Sequence, residues 1–285
     1  MFFREARLHA TNSNSWLRQQ GTKRRILFLS WFRKVKRTKP VLPFTILGMI
    51  ISLHMPKAGG SSFKEIHQRH YGNAIAWDYE DKPINATFEE RTRAAAQFDA
   101  QLNRFRQWTY SLRGIKCIHG HFLPAKYKRF QQREDNLFIT WLREPAERLI
   151  SHYYYWQHDC NEHSGQLHRK MIEEDWDLET FCLSPEMQNI YTQLFWEFPL
   201  ENFDFIGIME HYKEDTAYFV ETFLNPNQSR QPVPKKNVNI QQVRLYSDKL
   251  PSDLLAKIKA FHAEDYAIYE KALAMREKRI KSGET

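Results

Sequence analysis

Three short stretches of the chain carry side chains suited to holding an anion or moving a proton. In the first, Leu53-His-Met-Pro-Lys-Ala-Gly-Gly-Ser-Ser-Phe63, an apolar, β-branched run from Thr45 to Leu53 leads into Pro56 and Lys57. Ala58, Gly59, Gly60, Ser61 and Ser62 follow, and then a helical pattern begins. That order predicts strand, tight loop, helix. Glycines in the turn let backbone N–H groups approach a ligand closely, and the helix N-terminus adds unpaired donors and the positive end of the macrodipole. The loop differs from a Walker A motif, which has four residues between its glycines and its lysine after the second of them; Lys57 precedes an adjacent pair. An ordinary strand-to-helix turn with an incidental lysine is the competing reading.

The second stretch is Arg143-Glu-Pro-Ala-Glu-Arg-Leu-Ile-Ser151, directly after the apolar segment Asn136 to Leu142. Apolar residues at consecutive positions predict a strand buried on both faces in a parallel sheet. Pro145 suits the first helical turn, so Arg143 falls at the strand tip and Ser151 about two turns into a helix, with Arg148 three residues before it. A guanidinium can fork onto a phosphate while a serine hydroxyl donates a further bond. A structural arginine paired with a carboxylate remains the alternative. The third stretch ends a short predicted strand, Ile115 to Ile118, in His119-Gly120-His121. Residues i and i+2 of a strand face the same side, and the C-terminal end of a parallel strand is where open α/β sheets gather ligand-binding groups. Either histidine could take a proton near neutrality. A metal would need a third ligand at a recognisable spacing, and the sequence offers none.

The elements that must position these residues follow from periodicity. Ser61 to Tyr71 reads as a helix with Phe63, Ile66 and His70 on one face, and Phe88 to Arg113 as a solvated helix. Trp176 to Leu183 and Glu186 to Phe198 read as short helices. Phe203 to Met209 is a buried strand, and Tyr212 to Leu224 a helix. Prolines at 226, 232 and 234 make 225–239 a loop, whose Lys235, Lys236 and Asn237 are read first as a solvated basic segment and second as candidates to close over a cofactor. Pro251 opens a last amphipathic helix carrying Leu254, Leu255, Ile258, Phe261, Tyr266, Tyr269 and Leu273. Strands alternating with helices predict an α/β fold.

With 285 residues, 42% of them hydrophobic, the chain can bury a large core. Its formal charge of +8 is unevenly placed. Residues 1–48 hold eleven basic residues against the single acid Glu5, a net +10 that leaves −2 on the remaining 237. The body is therefore near neutral and offers no nucleic-acid face; a basic arm is the only segment suited to a polyanion. Met49 stands directly before the first strand, so residues 1–48 are expected to be either a disordered extension or a misassigned start, with the folded domain over 49–285. Cys117, Cys160 and Cys182 show no paired or metal-binding spacing, which points to a reducing compartment. No run approaches the roughly 18 apolar residues of a membrane span.

Taken together, the three stretches resemble a known family. The loop Pro56 to Phe63 is similar to the 5′-phosphosulfate loop of sulfotransferases that use 3′-phosphoadenosine 5′-phosphosulfate (PAPS), and Leu142 to Tyr155 to their 3′-phosphate-binding strand and helix. His-Gly-His is similar to the segment holding the catalytic base in the heparan sulfate 2-O-sulfotransferase and uronyl sulfotransferase branch. Fainter similarities lie in Gln188 to Leu194, in Phe203 to Glu210, and in the closing helix with Asp265 and Tyr269. The resemblance spans about residues 49 to 275. It implies a P-loop-NTPase-like three-layer fold with a central parallel sheet flanked by helices.

The implied roles follow residue by residue. Backbone groups from Ala58 to Ser62 would cradle the 5′-phosphate, Lys57 would neutralise the leaving oxygen, and Arg143 with Ser151 would hold the 3′-phosphate. His121 would take the acceptor's proton with His119 orienting it, or the two would exchange roles. PAPS would be the co-substrate and no metal is implied. The acceptor would be a hydroxyl, as in the family's glycans, with Trp77, Tyr79, Trp108 and Trp156 as candidate sugar-stacking rings. The animal relatives are anchored Golgi proteins; the sequence's lack of an anchor implies a cytoplasmic, bacterial-type enzyme instead. A P-loop kinase-like enzyme and a non-catalytic module binding through the basic arm are the other classes. The expectation about Met49 is checked by the intact mass of the natural protein, which should lack residues 1–48.

Overall fold

The computed structural model describes residues 48–79, 89, 93, 114–161, 164–224 and 246–283. The basic extension, Trp108, the 225–239 loop with Lys235, Lys236 and Asn237, and the expected 88–113 helix apart from its helical Glu89 and Arg93 lie outside them.

Among the described residues five strands form one parallel sheet: β1 (Ile50–Leu53), β2 (Ile75–Asp78), β3 (Cys117–Gly120), β4 (Leu137–Leu142) and β5 (Phe205–Ile208), in the order β2-β3-β1-β4-β5. β1 pairs with β3 through Ser52 opposite His119 and Leu53 opposite Gly120, and with β4 through Leu53 opposite Thr140. Every residue of β1, β3, β4 and β5 is buried, as a sheet covered on both faces requires. The chain runs outward from β1 to β2, returns through β3, and continues on the other side of β1 with β4 and β5. Parallel strand ends at such a reversal open a crevice at their C-terminal edge. There the loops after β1, β3 and β4 are neighbours.

Helix α1 (Gly60–Tyr71) follows β1; α2 (Pro145–His158), α3 (Gln166–Glu173), α4 (Leu178–Cys182) and α5 (Ile190–Leu194) lie between β4 and β5; α6 (Tyr212–Phe219), α7 (Ser252–Phe261) and α8 (Ala263–Lys281) follow β5. β4 shows how its alternating side chains serve two layers. Trp141 packs on Phe63 of α1 and Tyr212 of α6, at ring centroid distances of 5.1 Å each. Phe138, on the opposite parity, meets Phe198 at 4.9 Å. The α/β fold with a parallel sheet between helices is as expected.

Several boundaries differ from the sequence reading, each for a local reason. β2 lies in a stretch that carries no strand pattern, because only its two ends, Ile75 and Asp78, are buried. Asp78 ends it by accepting from Tyr127 Oη at 2.7 Å and Lys126 Nζ at 2.8 Å. β3 sits two residues later than expected, which draws His119 and Gly120 into the ladder. Gly120 permits this: a Cβ there would lie 1.6 Å from the Asp78 carbonyl oxygen. The expected 186–198 helix is interrupted at Asn189, whose φ of 49° is left-handed. The closing helix breaks at His262, which donates from Nε2 to the Cys182 carbonyl at 2.7 Å and accepts the Asn189 N–H at Nδ1. The helix after β5 finishes as a π turn over Val220–Leu224. Among the described residues no helix is long and apolar enough to cross a membrane.

The edge at β5 is closed by a buried carboxylate. Asp215 accepts from Ile208 N at 2.8 Å, Arg276 Nε at 2.8 Å and Arg279 Nη2 at 3.1 Å, tying α6 and α8 to the sheet. Removing one partner from a buried charge cluster strands the others without compensation. Asp215→Ala should therefore lower unfolding free energy by about 3–5 kcal/mol in urea titration; a loss under about 1 kcal/mol, the scale of an exposed pair, would contradict this assignment.

Candidate active site

The loop after β1 turns tightly. His54 N donates to the Gly120 carbonyl at 2.7 Å, and Ala58 N closes onto the Met55 carbonyl at 3.2 Å. Lys57 and Gly59 have left-handed backbones, with φ of 64° and 75°. Left-handed backbone at a lysine costs of order 1–2 kcal/mol, and strain of this kind concentrates at ligand clamps. Gly59 is required twice over, since a Cβ there would also meet Met209 Sδ at 2.4 Å. At Gly60, a Cβ would lie 1.4 Å from His54 Nε2, so the imidazole occupies that space. α1 begins at Gly60 without a side-chain cap or an acidic residue in its first turn. The N–H groups of Gly60, Ser61 and Ser62 thus point out of the helix without an intrahelical acceptor.

Lys57 reaches from this loop to α2, with Nζ 4.0 Å from the Tyr155 ring centroid. Burial pushes its ammonium down to about 8, the positive charge of Arg143 adds to the effect, and Asp159 partly offsets it. Two cations from separate strand ends therefore bear on one place.

Arg143 is held from several sides. Its backbone N–H donates to Tyr191 Oη at 3.2 Å, and that hydroxyl donates to the Arg143 carbonyl at 2.5 Å. Its guanidinium reaches Glu147 Oε2 at 3.3 Å and lies 5.7 Å from the Tyr246 ring. Glu147 is itself buried and accepts Ser247 N at 2.8 Å on its other oxygen. The fainter sequence similarities turn out to be supports for this corner. Asp265 caps α5 through Tyr191 N at 2.8 Å. Glu210 accepts from Glu144 N at 3.0 Å and from Tyr269 Oη at 2.8 Å. Ser151 lies half-buried on α2, while Arg148 turns away into the core with no exposed surface, 5.5 Å from the Tyr191 ring.

The histidines divide into an inner and an outer group. His119, 1% exposed, contacts Ser52 Oγ through Nδ1 at 2.9 Å, and fully buried His67 contacts the same hydroxyl through Nε2 at 3.1 Å. One hydroxyl proton serves two rings, so one imidazole receives it while the other donates. Burial drives both well below the usual imidazole range. His121, beyond the strand, is only half-buried, and its Nδ1–H donates to the His54 carbonyl at 2.6 Å. That bond leaves the ring's lone pair on Nε2. Tyr79 stands edge-on to His121 at 5.0 Å. Trp77 is 40% exposed beside Lys64, whose Nζ is 4.9 Å from its ring. Trp156, expected as a sugar platform, is core instead: it is 4% exposed and stacked on His168 at 4.7 Å. Among the described residues no three His, Cys, Asp or Glu side chains are arranged to hold a metal ion.

The structure thus brings Lys57, the Gly59–Ser62 backbone, Arg143, His119 and His121 to one edge. Sequence reasoning missed His54, Glu147 and Tyr191. His54 was visible as the polar residue between a buried strand and the loop, whereas Glu147 and Tyr191 act through distant partners.

No protein-family model matches the chain. A heparan sulfate 2-O-sulfotransferase of Caenorhabditis elegans is 28% identical over 123 residues, 41% of this chain and 35% of that protein. This similarity supports a place in the sulfotransferase family. The matched stretch spans well under half of that relative's length. A crystal structure of a sulfotransferase from Alicyclobacillus acidocaldarius has a TM-score of 0.43 and 17% identity, over 80% of this chain and 96% of that one.

The lowered Lys57 predicts a pH signature for anion binding. Above about pH 8 the ligand-free lysine is neutral, and an anion favours its charged form. An anion held by Lys57, with adenosine 3′,5′-bisphosphate as the probe, should therefore bind with proton uptake at pH 8.5 and weaken by up to about tenfold per pH unit above that. Calorimetry in buffers of different ionisation heat measures this; equal heats would remove Lys57 from the anion site.

Proposed function

We propose that this chain transfers the sulfuryl group of PAPS to a hydroxyl acceptor, a carbohydrate in the first instance. The observation that carries the reading is the meeting of two cationic strand ends, Lys57 and Arg143, with the Nδ1-anchored His121 at one sheet edge. PAPS bears anionic groups at both 5′ and 3′ positions, and two separated sites suit it. The backbone from Ala58 to Ser62 cradles the 5′-phosphate, with the Ala58 N–H closing the turn onto Met55 and the N–H groups that follow at the start of α1 facing the anion, and Arg143 with Ser151 holds the 3′-phosphate.

The acceptor hydroxyl gives its proton to His121 Nε2 as its oxygen bonds to sulfur. The bond from sulfur to the 5′-phosphate oxygen breaks, and its electron pair stays on that oxygen, whose growing charge Lys57 neutralises. His119 is too buried to meet the acceptor and serves the site from behind. Positioning and charge stabilisation supply the rate, as in phosphoryl transfer. Exposed Trp77 and half-buried Tyr79 beside the histidines are suited to stack on a sugar ring. The three cysteines are unpaired, in keeping with a reducing, cytoplasmic setting.

Adenosine 3′,5′-bisphosphate should bind without magnesium, and radiolabelled PAPS should label an acceptor in a glycan screen. His121→Ala should lose sulfuryl transfer by at least about a hundredfold while binding the bisphosphate normally. Lys57→Ala should lose at least about a hundredfold in turnover. Undiminished transfer in either variant refutes its assigned role, and binding that requires magnesium refutes the reading as a whole.

A further inference from the structure

We propose that His54 is a positioning residue for the base His121, linking it mechanically to the anion loop. The proposal rests on the reading of His121 as the base. The His54 peptide is held at both ends: its N–H donates to the Gly120 carbonyl at 2.7 Å, and its carbonyl accepts His121 Nδ1–H at 2.6 Å. The first bond carries the β1 to β3 pairing one residue past the end of β1, and the second clips the His121 ring to that same residue. The side chain then locks the peptide in place. Its ring fills the space above Gly60, at the first turn of α1, and stacks on His121 at 4.3 Å with 26° between the planes. It lies nearly parallel to His119 as well, at 5.3 Å and 17°. Tyr79 closes the group edge-on, 5.0 Å from His121 and 6.4 Å from His54.

The carbonyl that selects the His121 tautomer is thus held in register by its own residue's side chain, wedged between the loop and the base. The ring works through shape rather than through a polar bond. His54 Nδ1 is buried without a hydrogen-bond partner among the described residues, so a flat apolar ring can replace it at little cost. Burial, reinforced by the charges of His121, Lys64 and Lys57, keeps the ring neutral. It therefore adds no second cation beside the base.

His54→Ala and His54→Phe separate this role from a merely structural one. A misplaced catalytic group costs up to a hundredfold. His54→Ala should accordingly reduce kcat by at least about tenfold, with affinity for adenosine 3′,5′-bisphosphate within about threefold of wild type, and His54→Phe should restore most of the turnover. Imidazole 15N spectra should show His121 as the Nδ1–H tautomer in the wild-type protein and in His54→Phe, and as a mixture in His54→Ala. Unchanged kcat in His54→Ala overturns the proposal, as does a parallel loss of bisphosphate affinity. An Nε2–H tautomer at His121 in the wild-type protein also overturns it. The spectra require no turnover, so a wild-type protein that moves no sulfuryl group refutes the functional reading while the link from His54 to His121 is still decided by its tautomer.

Discussion

The parallel pairing of β1 with β3 on one side and β4 on the other is the constraint on which the site depends. It brings three strand ends, at Leu53, Gly120 and Leu142, to one edge, although Lys57 and Arg143 are 86 positions apart in the chain. Each strand end is individually unremarkable. Side by side they place a helix N-terminus, two cations and an imidazole ring at the same edge. The pairing survives because β1 and β4 are buried on both faces, where a slip of register would strand backbone donors that water cannot reach.

Bringing two cations together has an electrostatic cost, and the surrounding residues distribute it. Lys57 is depressed by burial and by Arg143, while Glu147 partly balances Arg143. Because Glu147 also accepts Ser247 N, it cannot swing fully onto the guanidinium. A fully neutralised arginine would have little left to offer a phosphate, and an unsupported one would be mobile. Tyr191, capped in turn by Asp265, fixes the arginine backbone instead, leaving its side chain to be tuned separately.

The histidines show the same division of labour. His67 and His119 share the Ser52 hydroxyl in the interior and stay neutral through burial. His121, with its Nδ1–H committed to the His54 carbonyl, keeps a lone pair at a half-exposed position. Two histidines separated only by Gly120 thus acquire different chemistry because one is inside the ladder and the other is just past it. Gly120 itself is dictated by neither ring but by the close passage of β2 at Asp78.

Much of this was legible in the residues alone. The α/β alternation, the strand-loop-helix around Lys57 to Ser62 and the strand tip at Arg143 all follow from local patterns, because apolar runs, glycine pairs and a proline at a helix start act over a few residues. β2 was not legible, since an edge strand with only its ends buried leaves no periodic signature. Nor were the breaks at Asn189 and His262, where each residue's conformation is set by the other across 73 positions. The different burial of His119 and His121, the core placement of Trp156 and the position of His54 over Gly60 were likewise decided by tertiary structure. Burial and close packing between distant segments, rather than residue type or spacing, determine which of several chemically able side chains is left facing the site.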